Sequence, residues 1–162
     1  MSKKEKFPET LALRCLKEHN IPYELFEYKY EPRGGTAVCS RELGVEEHLC
    51  VKTIILETEN KDPFIVLMHG DREISVKAMA RILNVKTVKA CLPAVADKHS
   101  GYQVGGTSPF GTKRKMPLYI EQTILELPEI YINAGHRGLL VKMKPQDIGK
   151  ALEYTPVNVA VQ

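Results

Sequence analysis

The sequence predicts an α+β domain in which helices pack on a mixed sheet with an antiparallel part. Three observations predict it. Short β-branched and apolar runs are interleaved with helical patterns along the whole chain. Several consecutive strands are separated by loops too short for a crossover helix, so those strands are antiparallel neighbours. The 162 residues, with 43% hydrophobic and 27% charged side chains, suit one soluble globular domain with a substantial core. No internal repeat, low-complexity segment or interdomain linker interrupts it.

In chain order, residues 1–7 read as a flexible basic tail and 8–162 as the domain. From Pro8 to about His19, Leu11, Leu13, Cys15 and Leu16 suggest a first helix, stopped by Asn20 and Pro22. Tyr23 to Tyr30 mostly alternates apolar and polar side chains with one shift, a strand with a register break. Arg33-Gly34-Gly35 reads as a loop, and Thr36 as the cap of a short helix ending at Gly44. Val51 to Leu56 and Phe64 to Met68, separated by Asn60-Lys61-Asp62-Pro63, predict a hairpin. Ser75 caps a helix with Val76, Met79, Ala80 and Leu83 on one face. Thr87-Val88 suggests a short strand, and Leu92 to Lys98 a short helix with Pro93 in its first turn. Leu118 to Ile120 reads as a strand and Gln122 to Leu127 as a short helix. Ile130 to Ile132 and Leu139 to Val141 read as strands flanking the turn Asn133-Ala134-Gly135. Pro145 opens a last helix through Leu152.

Several function classes drop out. The N-terminus is charged and lacks an apolar signal core, and no apolar run is long enough to span a bilayer, so a cytoplasmic protein is expected. The four cysteines, Cys15, Cys39, Cys50 and Cys91, form no Cys-x-x-Cys pair and read as reduced and mostly buried. His48 beside Cys50 is not a metal site by itself, and neither a metal nor a cofactor is expected. Gly106 to Lys113 nearly matches a phosphate-binding loop, but Thr112 precedes Lys113 where the motif needs Lys then Ser or Thr. No Gly-x-Ser-x-Gly is present. The net charge of +3 permits a polyanionic partner without requiring one.

The most informative stretch is Gly101 to Gly111. Gly105-Gly106 lets the backbone take positive φ and approach a neighbour closely, and Pro109 biases Ser108 toward extended geometry. Such a loop is either a tight turn or a cradle that aims several N–H groups and a hydroxyl into one cavity. Lys113, Arg114 and Lys115 follow it, either plain surface or the rim of a polyanion site. Lys52, inside an apolar strand, either faces solvent or points into a cleft, where it offers a compact charge to a phosphate or an ester carbonyl. Tyr28 and Tyr102 are either core aromatics or a face for a base or amino acid. His136-Arg137 lies in a glycine turn, and Arg137 has the fork geometry that suits phosphate.

Three segments together carry a resemblance. They are Val51-Lys52-Thr53, Gly101-Tyr102-x-Val104-Gly105-Gly106-x-Ser108-Pro109-x-Gly111, and Ile130-Tyr131-Ile132 leading into Gly135-x-Arg137-Gly138. On them the chain resembles the YbaK and prolyl-tRNA-synthetase-associated editing domains from about Leu11 to Leu152, above all the free-standing Cys-tRNA(Pro) deacylases of the YbaK type. The resemblance implies a strongly curved, barrel-like mixed sheet surrounded by helices. It implies a hydrolase acting in trans on the ester of mischarged tRNA(Pro), most of all Cys-tRNA(Pro). It implies a catalytic Lys52 and substrate binding by Tyr28, Thr53, Tyr102, Gly105, Gly106, Ser108, Pro109, Asn133, Gly135 and Arg137. No protein nucleophile is implied: in cysteine-specific members the thiol of the bound cysteine attacks its own ester. The implied partners are the 3′ aminoacyl-adenosine end of mischarged tRNA and prolyl-tRNA synthetase, with no membrane. Three positions depart from the YbaK pattern: Val51 for an aromatic residue, Asn133 for a serine and Leu140 for an aspartate. The last two bear on which amino acid is removed, and Leu140 favours alanine or another small side chain. A tRNA- or synthetase-binding module without catalysis, and a small-nucleotide binder, are the alternatives from other classes.

Overall fold

The computed structural model describes residues 9–161, so the expected basic tail at 1–7 lies outside the described residues. The sheet is assembled around β2 (Cys50–Thr58) and β3 (Pro63–His69). These form the expected hairpin, with Val51 opposite His69 and Glu57 opposite Pro63. Lys61 turns the chain in the left-handed region at φ 64°, and Thr58 Oγ1 accepts from the N–H groups of Asn60 and Asp62. Pro63, which has no N–H to donate, is tolerated because it opens its strand. Every residue of β3 is buried, as befits a strand covered on both faces.

The strand order is β1 (Glu24–Glu27), β8 (Leu139–Met143), β7 (Ile130–His136), β2, β3, β6 (Leu118–Glu121), β9 (Thr155–Val157), with β5 (Val88–Ala90) also on β2. β2–β7, β3–β6 and β6–β9 are parallel; β1–β8, β7–β8, β2–β3 and β2–β5 are antiparallel. The sheet is therefore mixed, as the loop lengths required. Among the described residues no pairing joins β1 to β9, so it is open rather than a closed barrel. Ile55, Ile65, Leu67, Leu118, Ile120 and Ile132 face one side, under α1 (Leu11–Glu18). Leu56, Phe64, Val66 and Met68 face the other, under Met79 and Ala80 of α3 (Val76–Leu83). Two further helices, α2 (Gly35–Leu43) and α4 (Pro93–Ser100), flank the sheet.

Several expectations are corrected. The first helix starts at Leu11 because Thr10 caps it, its Oγ1 accepting from Leu13 N–H. Thr36 does not cap α2; Gly34 is the N-cap and Thr36 sits in the first turn, its hydroxyl donating to Glu47 at 2.7 Å. The strand expected over 23–30 is only Glu24–Glu27, because β8 supplies just four partners. The segments from Gln122 and from Pro145 are 3₁₀ turns (Gln122–Glu126, Pro145–Lys150), one or two turns being too short to separate the two helical periods in sequence. Asn133-Ala134-Gly135 is not a turn but a bulge within β7, with Gly135 at φ 92°. The hairpin turn is Arg137-Gly138, between β7 and β8.

Candidate active site

The site follows from a gap in the sheet. One edge of β2 is paired with β3 along its length. The other edge pairs with β7 only at Cys50–Val51 and with β5 only at Leu56–Thr58. Cys91 N–H adds a bond to Ile55 O at 3.0 Å on this side, whereas Cys50 O bonds Gly70 N–H on the β3 side at 2.7 Å. Strand alternation then places the N–H and C=O of Thr53 on the open edge, between the two pairings. A cavity of about 800 Å³ occupies the gap. Residues 50–55 form its floor, the first turns of α2 and the segment from Tyr28 to Gly34 one wall, and Val104, Gly105 and Thr107 another.

Lys52 lies on this floor. Its side chain is 21% exposed, and its Nζ sits 3.4 Å from Glu73 Oε2, a carboxylate 81% exposed at the rim. Glu73 belongs to β4 (Glu73–Ile74), which is held by the last described strand, β10 (Ala160–Val161). Among the described residues two buried side-chain oxygens have no hydrogen-bond partner, Thr53 Oγ1 and Asn133 Oδ1, and both residues line the cavity. Asn133 follows Ile132, which pairs with Val51, so it comes level with Lys52 across the two parallel strands. Tyr28 lines the wall, and burial, with smaller repulsion from Cys39 and Tyr30, pushes its hydroxyl up to about 12.

The glycine loop and the Arg137 turn meet over the cavity. Arg137 Nε donates to Val104 O at 3.0 Å, and its guanidinium lies 4.9 Å above the Tyr30 ring. Gly105, at φ 97°, packs so closely that a Cβ would stand 2.7 Å from Tyr30 Oη. Gly106 lies behind the wall, where a Cβ would meet Arg137 N at 2.7 Å.

Of the expected site residues, the cavity brings together Lys52, Tyr28, Thr53, Gly105, Asn133 and Arg137. Gly106, Tyr102, Ser108, Pro109 and Gly135 lie outside its lining. Tyr102 is buried with its hydroxyl donating to Phe110 O at 2.6 Å, and burial, with a smaller contribution from Cys15, raises it to about 12. Ser108 is fully buried, its Oγ accepting from Phe110 N–H at 3.0 Å. Pro109 lines a separate cavity of about 950 Å³ with Ile65 and Tyr154. Gly135 leaves room for the Tyr102 ring, which a Cβ would approach to 2.8 Å. These five shape the loop that frames the site. Sequence reasoning missed Tyr30, Glu73, Cys39 and Cys50 as lining residues. Tyr30, two residues after Tyr28 in an alternating segment, carried a signal; Glu73 carried none.

Among the described residues no histidine lines the cavity, and the Thr36 hydroxyl in its wall donates to the Glu47 carboxylate at 2.7 Å. What the site offers is the Lys52 ammonium, the guanidinium groups of Arg33 and Arg137, the carboxylates of Glu31, Glu47 and Glu73, the open edge at Thr53, two partnerless oxygens and aromatic walls. The histidines that do cluster, His48 and His69, lie with Asp71 outside it, their ligand atoms within 4.8 Å of one another. Both ring nitrogens of His69 are already engaged, with His48 O at 2.9 Å and Thr123 Oγ1 at 2.7 Å. His48 Nδ1 is engaged with Asp71 at 2.9 Å.

Residues 31–151 match the family described as the aminoacyl-tRNA editing domain. A relative in Enterococcus faecalis, EbsC, is named provisionally as a Cys-tRNA(Pro)/Cys-tRNA(Cys) deacylase; it is 27% identical over 149 residues, 91% of each chain. A proline–tRNA ligase of Thermodesulfovibrio yellowstonii is 32% identical over 98 residues, 59% of this chain but 17% of the ligase. A solved structure described provisionally as a trans-editing enzyme for prolyl tRNA synthetase superposes with a TM-score of 0.83 at 15% identity, covering 100% of this chain and 99% of that one.

Proposed function

Because this chain belongs to the aminoacyl-tRNA editing domain family, we propose that it is a free-standing deacylase, a hydrolase that removes a wrongly attached amino acid from tRNA(Pro), cysteine foremost. The observation that carries this reading is Lys52 on the floor of a cavity opened by a gap in the sheet, beside the unpaired edge at Thr53. The terminal nucleotide of a charged tRNA has an ester carbonyl, an ammonium and a phosphodiester on its ribose. Lys52 and Arg137 suit the anionic groups, and Asn133 Oδ1 with the Thr53 oxygens suits the ammonium. Tyr28 and Tyr30 form the aromatic side on which an adenine can stack.

Catalysis in this reading is by position and charge. The nucleophile is the substrate's own thiol for a cysteinyl ester, or a water for another. It attacks the carbonyl carbon, the C–O bond to the ribose breaks, and the ribose oxygen leaves with the nucleophile's proton. Attack by water releases the free amino acid directly, whereas attack by the thiol leaves a cyclic thioester that water then opens to free cysteine. Lys52 stabilises negative charge developing on the carbonyl oxygen, and the cavity holds the reacting groups together. A second hydrolytic site is useful because a synthetase pocket separates amino acids differing by one methylene by only about 1–3 kcal/mol. The likeness to part of a proline–tRNA ligase supports prolyl-tRNA synthetase as a docking partner. Among the described residues no helix is long and apolar enough to cross a membrane.

The test is deacylation of Cys-, Ala- and Ser-tRNA(Pro) by the wild type, Lys52→Ala and Lys52→Arg. The expected result is a fall of about 100-fold or more for Lys52→Ala with an unchanged melting temperature. Lys52→Arg is expected to recover little, because a planar fork does not replace a compact ammonium in a closed floor. Full activity of Lys52→Ala on every ester would overturn the role of Lys52.

One observation favours a second reading of the substrate. Leu140 is buried in the cavity wall opposite Asn133 in register, so the end of the pocket is apolar. That environment suits the methyl of an alanyl ester better than a polar group, and turnover of the alanyl ester alone would select this reading.

A further inference from the structure

The cavity wall contains two thiols that the proposed deacylation does not use. Cys39, in α2, and Cys50, at the start of β2, are 3% and 1% exposed and both line the cavity. Their sulfurs lie 3.4 Å apart, with the Cys39 S–H donating to Cys50 Sγ. Tyr131 and Leu140 complete this small cluster, with Tyr28 packed against it. All four cysteines are thiols, and Cys39 and Cys50 come within hydrogen-bonding distance of each other although 11 residues apart in sequence.

We propose that Cys39 and Cys50 form a redox-modification site, a dithiol that a hydroperoxide small enough to enter the cavity converts to a disulfide tying α2 to β2. The geometry supplies each step. The Cys50 sulfur attacks the peroxide, the O–O bond breaks, and Cys50 becomes a sulfenic acid as water or an alcohol leaves. The Cys39 sulfur, already in contact, then attacks the Cys50 sulfur. An S–S bond forms, the S–O bond breaks, and the oxygen leaves as water carrying the Cys39 proton. Two electrons pass from the sulfurs to the peroxide. The hydrogen bond that Cys39 donates also lowers Cys50 below the ordinary thiol range, in favour of Cys50 as the attacking sulfur, while burial works against it.

The consequence for the cavity follows from position. α2 contributes residues 35–39 to the wall, and Cys50 stands two residues before Lys52. Bond formation draws the helix onto the strand that carries Lys52 and narrows the entrance between them. Oxidation therefore closes the site reversibly. This control role rests on the deacylase reading; the thiol chemistry does not.

The experiment treats the reduced protein with hydrogen peroxide and counts thiols in denaturant. The expected count falls from four to two, peptide mapping finds Cys39 joined to Cys50, and dithiothreitol restores all four. A Cys15→Ser/Cys91→Ser variant, which retains only the pair, is expected to lose both thiols under the same treatment. In Cys39→Ser, Cys50 is expected to be trapped by dimedone as the sulfenic acid. Four persisting thiols, or a cross-link that maps to any other pair, would overturn the site. Oxidised protein is expected to deacylate at least tenfold more slowly than reduced; equal rates would overturn the control role. Reduced protein inactive on every mischarged tRNA would sink the deacylase reading while the thiol count still decided the site.

Discussion

Gly105 concentrates the constraints on this molecule. It combines a φ of 97°, which an L side chain rarely adopts, with a Tyr30 ring where a Cβ would stand. Tyr30 cannot retreat easily, because the Arg137 guanidinium covers it and Arg137 is itself bonded to Val104 O. Gly105→Ala is therefore expected to displace the loop rather than the aromatic ring. A strained backbone of this kind costs on the order of 1–3 kcal/mol. Because the loop is cavity wall, deacylation should fall much more than the melting temperature does. A variant with wild-type turnover would show that the loop does not shape the site. The glycine pair was legible in sequence as a place needing freedom; the partner that demands it, Tyr30, was not.

At the scale of elements, the end of β3 carries a pH dependence. His69 is buried, and that burial holds its ring below the ordinary value of 6.5. Its bond to the His48 carbonyl acts the other way, the neighbouring His48 ring adds to the depression, and Asp71 and Glu121 oppose it. A folded-state value below the unfolded one means that the unfolded chain binds more protons between the two. The stability is thus fully present above about 6.5 and is lost as pH falls toward the folded value. Urea unfolding from about pH 7 to about pH 5 should show a falling midpoint, and His69→Gln should flatten it. An unchanged slope in that variant would assign the acid sensitivity elsewhere. The same scale explains which elements the sequence revealed. Long apolar runs such as 50–58 and 63–69 were legible because their pattern is local. The strands β4, β9 and β10, two or three residues each, were not, because only a distant partner makes them strands.

For the whole molecule, the question is how a shared fold is tuned to one ester. The six expected site residues that line the cavity come from four regions: the segment after β1, β2, the glycine loop, and β7 with its turn. Leu140, opposite Asn133, then sets the polarity of the pocket's end. Leu140→Asp should raise cysteinyl relative to alanyl turnover, by roughly tenfold if one hydrogen bond of about 1.4 kcal/mol is gained in the transition state. An unchanged ratio with an intact melting temperature would mean that selectivity is set elsewhere.

By itself the sequence determined the α+β class, the β2–β3 hairpin, the glycine loop and the identity of Lys52 as a lysine out of place in an apolar strand. These are local properties of pattern, turn chemistry and residue type. It left open whether Lys52 meets solvent or a cleft, because alternation along one strand cannot tell which edge has a neighbour. Tertiary structure decided that by pairing β2 with β7 at one end and β5 at the other, leaving Thr53 unpaired between them. The same long-range packing brought Glu73 to Lys52 and Cys39 to Cys50. Contacts between residues so far apart in sequence depend on the register of the whole sheet, and no stretch of the chain encodes that register alone.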